Sequence, residues 1–157
     1  MDDRGPALPP VAPEDCPLVR ALEVVGDRWT MLLLRQAFYG VGRFDDMQAQ
    51  LGASRKVLSE RLARMVFTGL LARSPYRDGS QRARHEYRLT PKGRDLATAL
   101  VALMQWGDRH MPHPGGRPLR VVERGSGREV RAALVRDDGR EVGGADALAG
   151  EAWPDRR

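Results

Sequence analysis

A mostly α-helical fold carrying one small β-hairpin is what the sequence predicts, on three observations. Apolar residues recur at the spacing of a helical face through most of 16–68 and again over 96–106. Two stretches of strand character, 70–76 and 84–89, flank Asp78-Gly79, a pair favoured in tight hairpin turns. Glycines and prolines stand where the helical segments begin and end.

Taken in order, residues 1–14 hold four prolines and few apolar side chains, and are expected to form a disordered arm. A structured domain is expected over 15–111. Its first helix starts at Cys16-Pro17, with proline at the first helical position and Leu18, Leu22 and Val25 on one face up to Gly26. A second helix from about Asp27 carries Trp29, Leu32, Leu33 and Ala37, and ends at Gly40 and Gly42. Phe44, Met47 and Leu51 mark a short third helix that stops at Gly52. Ser54 then caps a fourth, with Leu58, Leu62 and Met65 inward and Gly69 at its end. A short helix, a tight glycine turn and a longer helix make a helix-turn-helix, and the hairpin that follows is a wing. Thr90-Pro91 opens a last helix to about His110, with Leu96, Leu100, Leu103 and Trp106 along one side. The near-continuous apolarity of ALVALM points to a second burial surface, supplied by another subunit. Pro112, Pro114, Gly115 and Gly116 form a linker, and the alternating pattern around the GSG and DDG turns predicts a small β-meander in the 112–157 tail.

Charge is distributed unevenly. The chain has 26 Lys and Arg against 21 Asp and Glu, net +5. From Ser54 to Arg94 there are eleven basic and three acidic residues, +8, which leaves −3 for the rest. Basic charge gathered in one segment is the footprint expected for a polyanion partner. No apolar run is long enough to span a bilayer and no secretory leader is visible, so the expected location is cytoplasmic, at the nucleoid. A single cysteine, Cys16, excludes an internal disulfide framework.

Several spaced elements occur together: Cys16-Pro17, Gly26 with Trp29, Arg43-Phe44, Ser54 with Val57-Leu58 and Arg61-Leu62, Gly69-Leu70, and Tyr87-Arg88-Leu89-Thr90 with Gly93. By these residues, 16–111 resembles the HxlR-type winged-helix regulators. The resemblance implies a bacterial homodimer joined through its first and last helices, usually a repressor and sometimes an activator. The tail beyond Pro114 exceeds what it covers.

Helical phase selects the candidate DNA contacts. With Leu58 inward, Lys56 and Ser59 point outward, and Arg55 joins them at the N-terminal end nearest the base edges of a major groove. Ser54 serves as a cap or meets a phosphate through its backbone N–H. Arg43, entering the third helix, and Arg64, on the flank of the fourth, extend the set, and Arg77, Arg82 and Arg84 crowd the wing. Each alone also fits a solvated surface side chain; their shared face favours double-stranded operator DNA, near-palindromic for a dimer.

Two candidate signal sites stand apart. Cys16, at a helix N-terminus near Arg20, is placed where unpaired backbone N–H groups favour a thiolate, which makes it a candidate redox sensor; a packing cysteine is the plainer reading. Trp29, Leu100, Leu103, Met104 and Trp106 are candidates for a small-molecule effector pocket, although such stripes equally serve core and dimer packing. His85, His110 and His113 lack neighbours at metal-ligand spacing, and no P-loop, nucleophile elbow or dinucleotide fingerprint occurs, so neither metal, cofactor nor enzymatic activity is expected. The rival functions are a winged-helix module that binds protein and a ligand-binding protein with secondary DNA contact. A protein-binding wing would expose an apolar patch rather than arginines.

Overall fold

The structure, a computed structural model, describes residues 11–76 and 84–150. Along them run α1 (Pro17–Val25), α2 (Arg28–Phe38), α3 (Phe44–Leu51), α4 (Arg55–Phe67), β1 (Leu71–Tyr76), β2 (Arg84–Leu89), α5 (Pro91–Arg94) and α6 (Ala97–His110), with 3-10 turns at Pro13–Asp15 and Ala145–Ala147. Most of the expected 1–14 arm, the hairpin turn with Arg77 and Arg82, and the last seven residues lie outside the described residues.

Four helix boundaries around the helix-turn-helix have a visible chemical cause. Asp27 caps α2, its carboxylate accepting from Thr30 N (3.1 Å) and from Thr30 Oγ1. Gly52, at φ 63°, turns the chain out of α3 while its N–H closes onto Gln48 O at 2.9 Å. Ser54 Oγ accepts from Val57 N (3.2 Å) to start α4. At the far end of α4 the Leu70 N–H reaches Met65 O (2.9 Å) and the Gly69 N–H reaches Val66 O (3.0 Å), the paired bonds of a Schellman closure with Gly69 at φ 74°.

The core is one cluster: Leu33 and Leu34 of α2, Met47 of α3, Ala53, Leu58, Leu62 and Met65 of α4, then Leu70 and Leu71 entering the hairpin. The inward phase of α4 is as its sequence predicts. In α2 the buried set is Thr30, Leu33, Leu34 and Gln36, whereas Trp29, Leu32 and Ala37 are only half-buried. The reason is that α2 packs against α3, α4, β2 and α6 together, so its buried face is broader than a single stripe. Gln36, buried there, donates to Gln50 Oε1 at 2.7 Å.

β1 and β2 pair antiparallel from Leu71 opposite Leu89 to Tyr76 opposite Arg84. Arg43 bridges to Glu86 on the other edge of β2, and the Tyr87 N–H donates to Gly42 O at 2.7 Å, tying the entry of α3 to the hairpin.

The segment after β2 locks these parts together. Thr90 Oγ1 donates to Gly69 O (2.6 Å) and accepts from Gly93 N (3.0 Å), capping α5 while satisfying the turn that ends α4. Lys92 Nζ donates to Thr68 O (2.7 Å), placing a cation on the carbonyl end of α4. Gly93 is buried against Leu70, the residue before β1, where an added Cβ would stand 2.2 Å from Leu70 O. This contact accounts for a difference from the sequence reading: the expected single helix from Pro91 is broken. α5 is held against Leu70, Leu96 N turns back to Gly93 O (3.3 Å), and the chain restarts as α6. On α6 only Leu100 is buried; Leu103 and Trp106 are each 56% exposed.

Beyond α6, the tail has turns at GSG and DDG but isolated bridges in place of strands, Val122 with Glu129 and Val135 with Glu141. Pairings this short have no apolar face to bury, and Leu134 and Val135 are exposed. The tail is held instead by polar contacts. Gln105 of α6 donates to Val130 O (2.8 Å) and accepts from Ala132 N (2.9 Å), and Arg117 pairs with Asp108 (3.4 Å) and with Glu129.

Asp27 also couples two helices, since Arg61 Nε of α4 lies 3.6 Å from its carboxylate. Burial would raise its pKa, but the Thr30 hydroxyl and N–H, the Arg61 charge and the Trp29 N–H together hold it below the ordinary carboxylate value. A depressed folded pKa contributes stability above the unfolded value, about pH 4, that is lost as pH falls through the folded one. Asp27→Ala is therefore expected to cost about 1 to 2 kcal/mol at neutral pH. Urea midpoints should show that deficit shrinking below about pH 4; a deficit independent of pH would sink the account.

Candidate nucleic-acid interface

The outward face of α4 is built by the same phase that buries Leu58 and Leu62. Ser54, Arg55, Lys56 and Ser59 are all exposed there, with the helix N-terminus at the surface. Facing α4 is the concave side of the hairpin. Between them lies a concavity of about 700 Å³ whose walls include Arg55, Ser59, Arg73, Arg84 and His85. Three arginines and a histidine stand there with one carboxylate, Asp45, so the hollow suits an anionic, hydrogen-bonding partner.

Several basic groups are already oriented. Arg55 lies over the Phe44 ring (4.9 Å to the centroid), donates to Gln48 Oε1 (3.2 Å) and stands 3.5 Å from the Asp45 carboxylate. Arg84 stands 3.5 Å from the other oxygen of Asp45. One carboxylate thus gathers an arginine from α4 and one from β2 at the mouth of the hollow. Those pairs are solvent-exposed and individually weak, so a phosphate can replace the carboxylate at small cost. Arg43 stacks over Tyr76 at 4.6 Å, which directs its guanidinium along the hairpin. Arg73 Nη2 lies 2.9 Å from His85 Nδ1 across the two strands.

Of the sequence-selected residues, Arg55, Ser59 and Arg84 line this hollow, Ser54 and Lys56 are exposed beside Arg55 at the start of α4, Arg43 lies over Tyr76 of its wall, and Arg77 and Arg82 fall outside the described residues. Arg64 is directed elsewhere: its Nη2 donates to Glu23 O at 2.7 Å, closing the end of α1. Asp45, Arg73 and Tyr76 were not anticipated. Nothing in their spacing marks them, because they meet only after the hairpin folds over α3 and α4.

The two candidate signal sites look different in three dimensions. Cys16 is the half-buried N-cap residue of α1, and its side chain makes no capping hydrogen bond. Of the residues expected to line an effector pocket, Trp29 packs on the core, Leu100 is buried, and Leu103 and Trp106 are exposed on this single chain. Met104 Sδ accepts from Tyr39 OH at 3.6 Å. Among the described residues, no helix is long and apolar enough to cross a membrane.

Comparison with known proteins places this geometry. The HTH-type transcriptional regulator Rv3095 of Mycobacterium tuberculosis is 49% identical over 116 residues, 74% of this chain and 72% of that protein. Among solved structures, the candidate transcription factor PA1607 superposes with TM-score 0.75 at 39% identity, covering 87% of this chain and 94% of that one. PA1374 of Pseudomonas aeruginosa, also described as a transcription factor, gives TM-score 0.62 at 37% identity, covering 90% and 95%. The helix-turn-helix of α3 and α4, the hairpin that follows and these similarities make the protein a transcriptional regulator of winged-helix type. The family model for HxlR-like helix-turn-helix proteins matches residues 24–114, more than half of the chain, and the protein belongs to that family.

Proposed function

We propose that the protein is a homodimeric repressor that reads a near-palindromic operator with the N-terminal half of α4 and grips the flanking backbone with its hairpin. The observation that carries this reading is the shared face: Arg55, Lys56 and Ser59 exposed on α4, and Arg84 beside Arg55 across Asp45. In it Lys56 and Ser59 meet base edges, Ser54 and Arg43 meet phosphates, and Arg55 serves both. Arg84, with Arg77 and Arg82 of the hairpin turn, follows the neighbouring backbone or minor groove. Arg64 takes a structural part at the end of α1.

Apolar surface on α1 (Leu18 64% and Leu22 52% exposed) and on α6 (Leu103 and Trp106) supports the dimer, since a second copy would cover it. Binding at the cytoplasmic nucleoid follows from this reading. Control by a signal completes it, a small-molecule effector or oxidation at Cys16; for the latter, Cys16→Ser should lose the response of DNA binding to oxidant, and an unchanged response would remove Cys16 from the mechanism.

Selection of binding sites from random DNA tests the base-reading part. Lys56→Ala is expected to weaken binding by about 1 to 3 kcal/mol and to relax the preferred base at one position of each half-site, whereas Arg84→Ala should weaken all sequences alike. Identical selected sites for wild type and Lys56→Ala at equal affinity would place base recognition elsewhere.

A further inference from the structure

A second basic cleft shares Tyr87 with the hollow beside α4. It has a volume of about 560 Å³ and is bounded by the end of α2, the loop at Gly40 and Gly42, β2, α5 and the GSG turn of the tail. Three guanidinium groups line it: Arg88 of β2, Arg94 of α5 and Arg124 of the tail turn. Arg88 is neutralised by Glu86 at 2.7 Å. The guanidinium groups of Arg94 and Arg124 have no ion pair or hydrogen bond among the described residues, although Arg-carboxylate pairs hold the tail elsewhere, as at Arg117, Arg131 and Arg136. Phe38 and Leu89 add apolar lining, and the Glu86 carboxylate that pairs with Arg88 is also part of the wall.

We propose that this cleft binds a small organic molecule bearing two or more phosphate or carboxylate groups. Guanidinium forks fit such groups bidentately, two arginines without an ion pair among the described residues select a multivalent anion, and Phe38 and Leu89 take its carbon skeleton. A volume of this size is within the range of small-molecule sites. The composite origin of the cleft is what makes it informative. Arg94 comes from the family domain, whereas Arg124 lies beyond residue 114, in a tail that PA1607 and PA1374 span by coverage. A bound anion would therefore clamp the tail turn onto β2, the strand that also makes the Arg43–Glu86 bridge and the Gly42–Tyr87 bond.

Calorimetric titration of the full chain with citrate and with phosphoenolpyruvate tests this, in parallel with a DNA-binding salt series. At least one probe is expected to bind once per chain. Arg94→Gln and Arg124→Gln should each weaken that binding by about tenfold or more, and Arg124→Lys by less, because charge is kept and the fork is lost. DNA affinity without probe should stay within about twofold of wild type. Absence of heat with both probes, or equal binding by the Arg94→Gln, Arg124→Gln double variant, would overturn the proposal. Loss of DNA affinity in the double variant with a salt slope reduced by about 2 would overturn it too, since the arginines would then be DNA-phosphate contacts. The titration does not involve DNA, so its failure is separable from failure of operator reading.

Discussion

Gly93→Ala is expected to destabilise the protein by about 3 kcal/mol or more, a large part of the stability of a domain this size. Two effects oppose each other at this position. Gly93 lies within α5, where alanine is favoured over glycine by about 1 kcal/mol, so propensity alone predicts a gain. The added methyl would stand 2.2 Å from Leu70 O and 3.1 Å from Leu89 Cδ2. The first of these is backbone, fixed by its bond to Thr90 N (3.1 Å) and by the start of the hairpin, so it cannot yield without moving β1. The steric term is therefore the larger and the sign is negative. A urea midpoint lowered at unchanged slope is the expected result. A midpoint equal to wild type or higher would mean that α5 is not packed against Leu70.

Ser59→Glu should have the largest effect on function and almost none on the fold. Ser59 is exposed on α4 and lines the hollow facing the hairpin, so no core contact is lost. Glutamate is also a better helix former than serine. Its carboxylate, however, would stand where the proposed reading puts an anionic groove, and would compete with DNA for Arg55 one turn earlier. Operator affinity is expected to fall by about 100-fold or more, with a urea midpoint within about 0.5 kcal/mol of wild type. Retained affinity in a folded Ser59→Glu protein would remove this face of α4 from the interface.

The helix-turn-helix was legible because its signals are local. Gly52 and Gly69 end their helices in the left-handed region, Ser54 caps, and Leu58, Leu62 and Met65 recur at one phase, each a property of a few neighbouring residues. The break between α5 and α6 was not legible, since Thr90-Pro91 opens a helix convincingly and only the contact of Gly93 with Leu70, 23 positions earlier, interrupts it. The tail misled for a related reason: its alternating pattern suits strands, but two short turns held by Gln105 and arginine pairs leave nothing for a sheet to bury. At the candidate interface, phase puts Lys56 and Ser59 outward, and both are exposed, as is Arg55 at the N-terminal end. That Asp45 sets Arg55 beside Arg84, and that Arg64 turns away to Glu23, are tertiary facts with no periodic trace.

Footprinting of the wild-type protein on DNA upstream of its own coding sequence, over a salt series, tests the central claim most directly. Two protected half-sites related by dyad symmetry are predicted, their centres one helical turn, about 34 Å, or a multiple of it apart, with an affinity about 1,000-fold or more above that for competitor DNA. Protection without symmetry, or steep salt dependence with no preference over competitor, would contradict a dimer that reads sequence through α4.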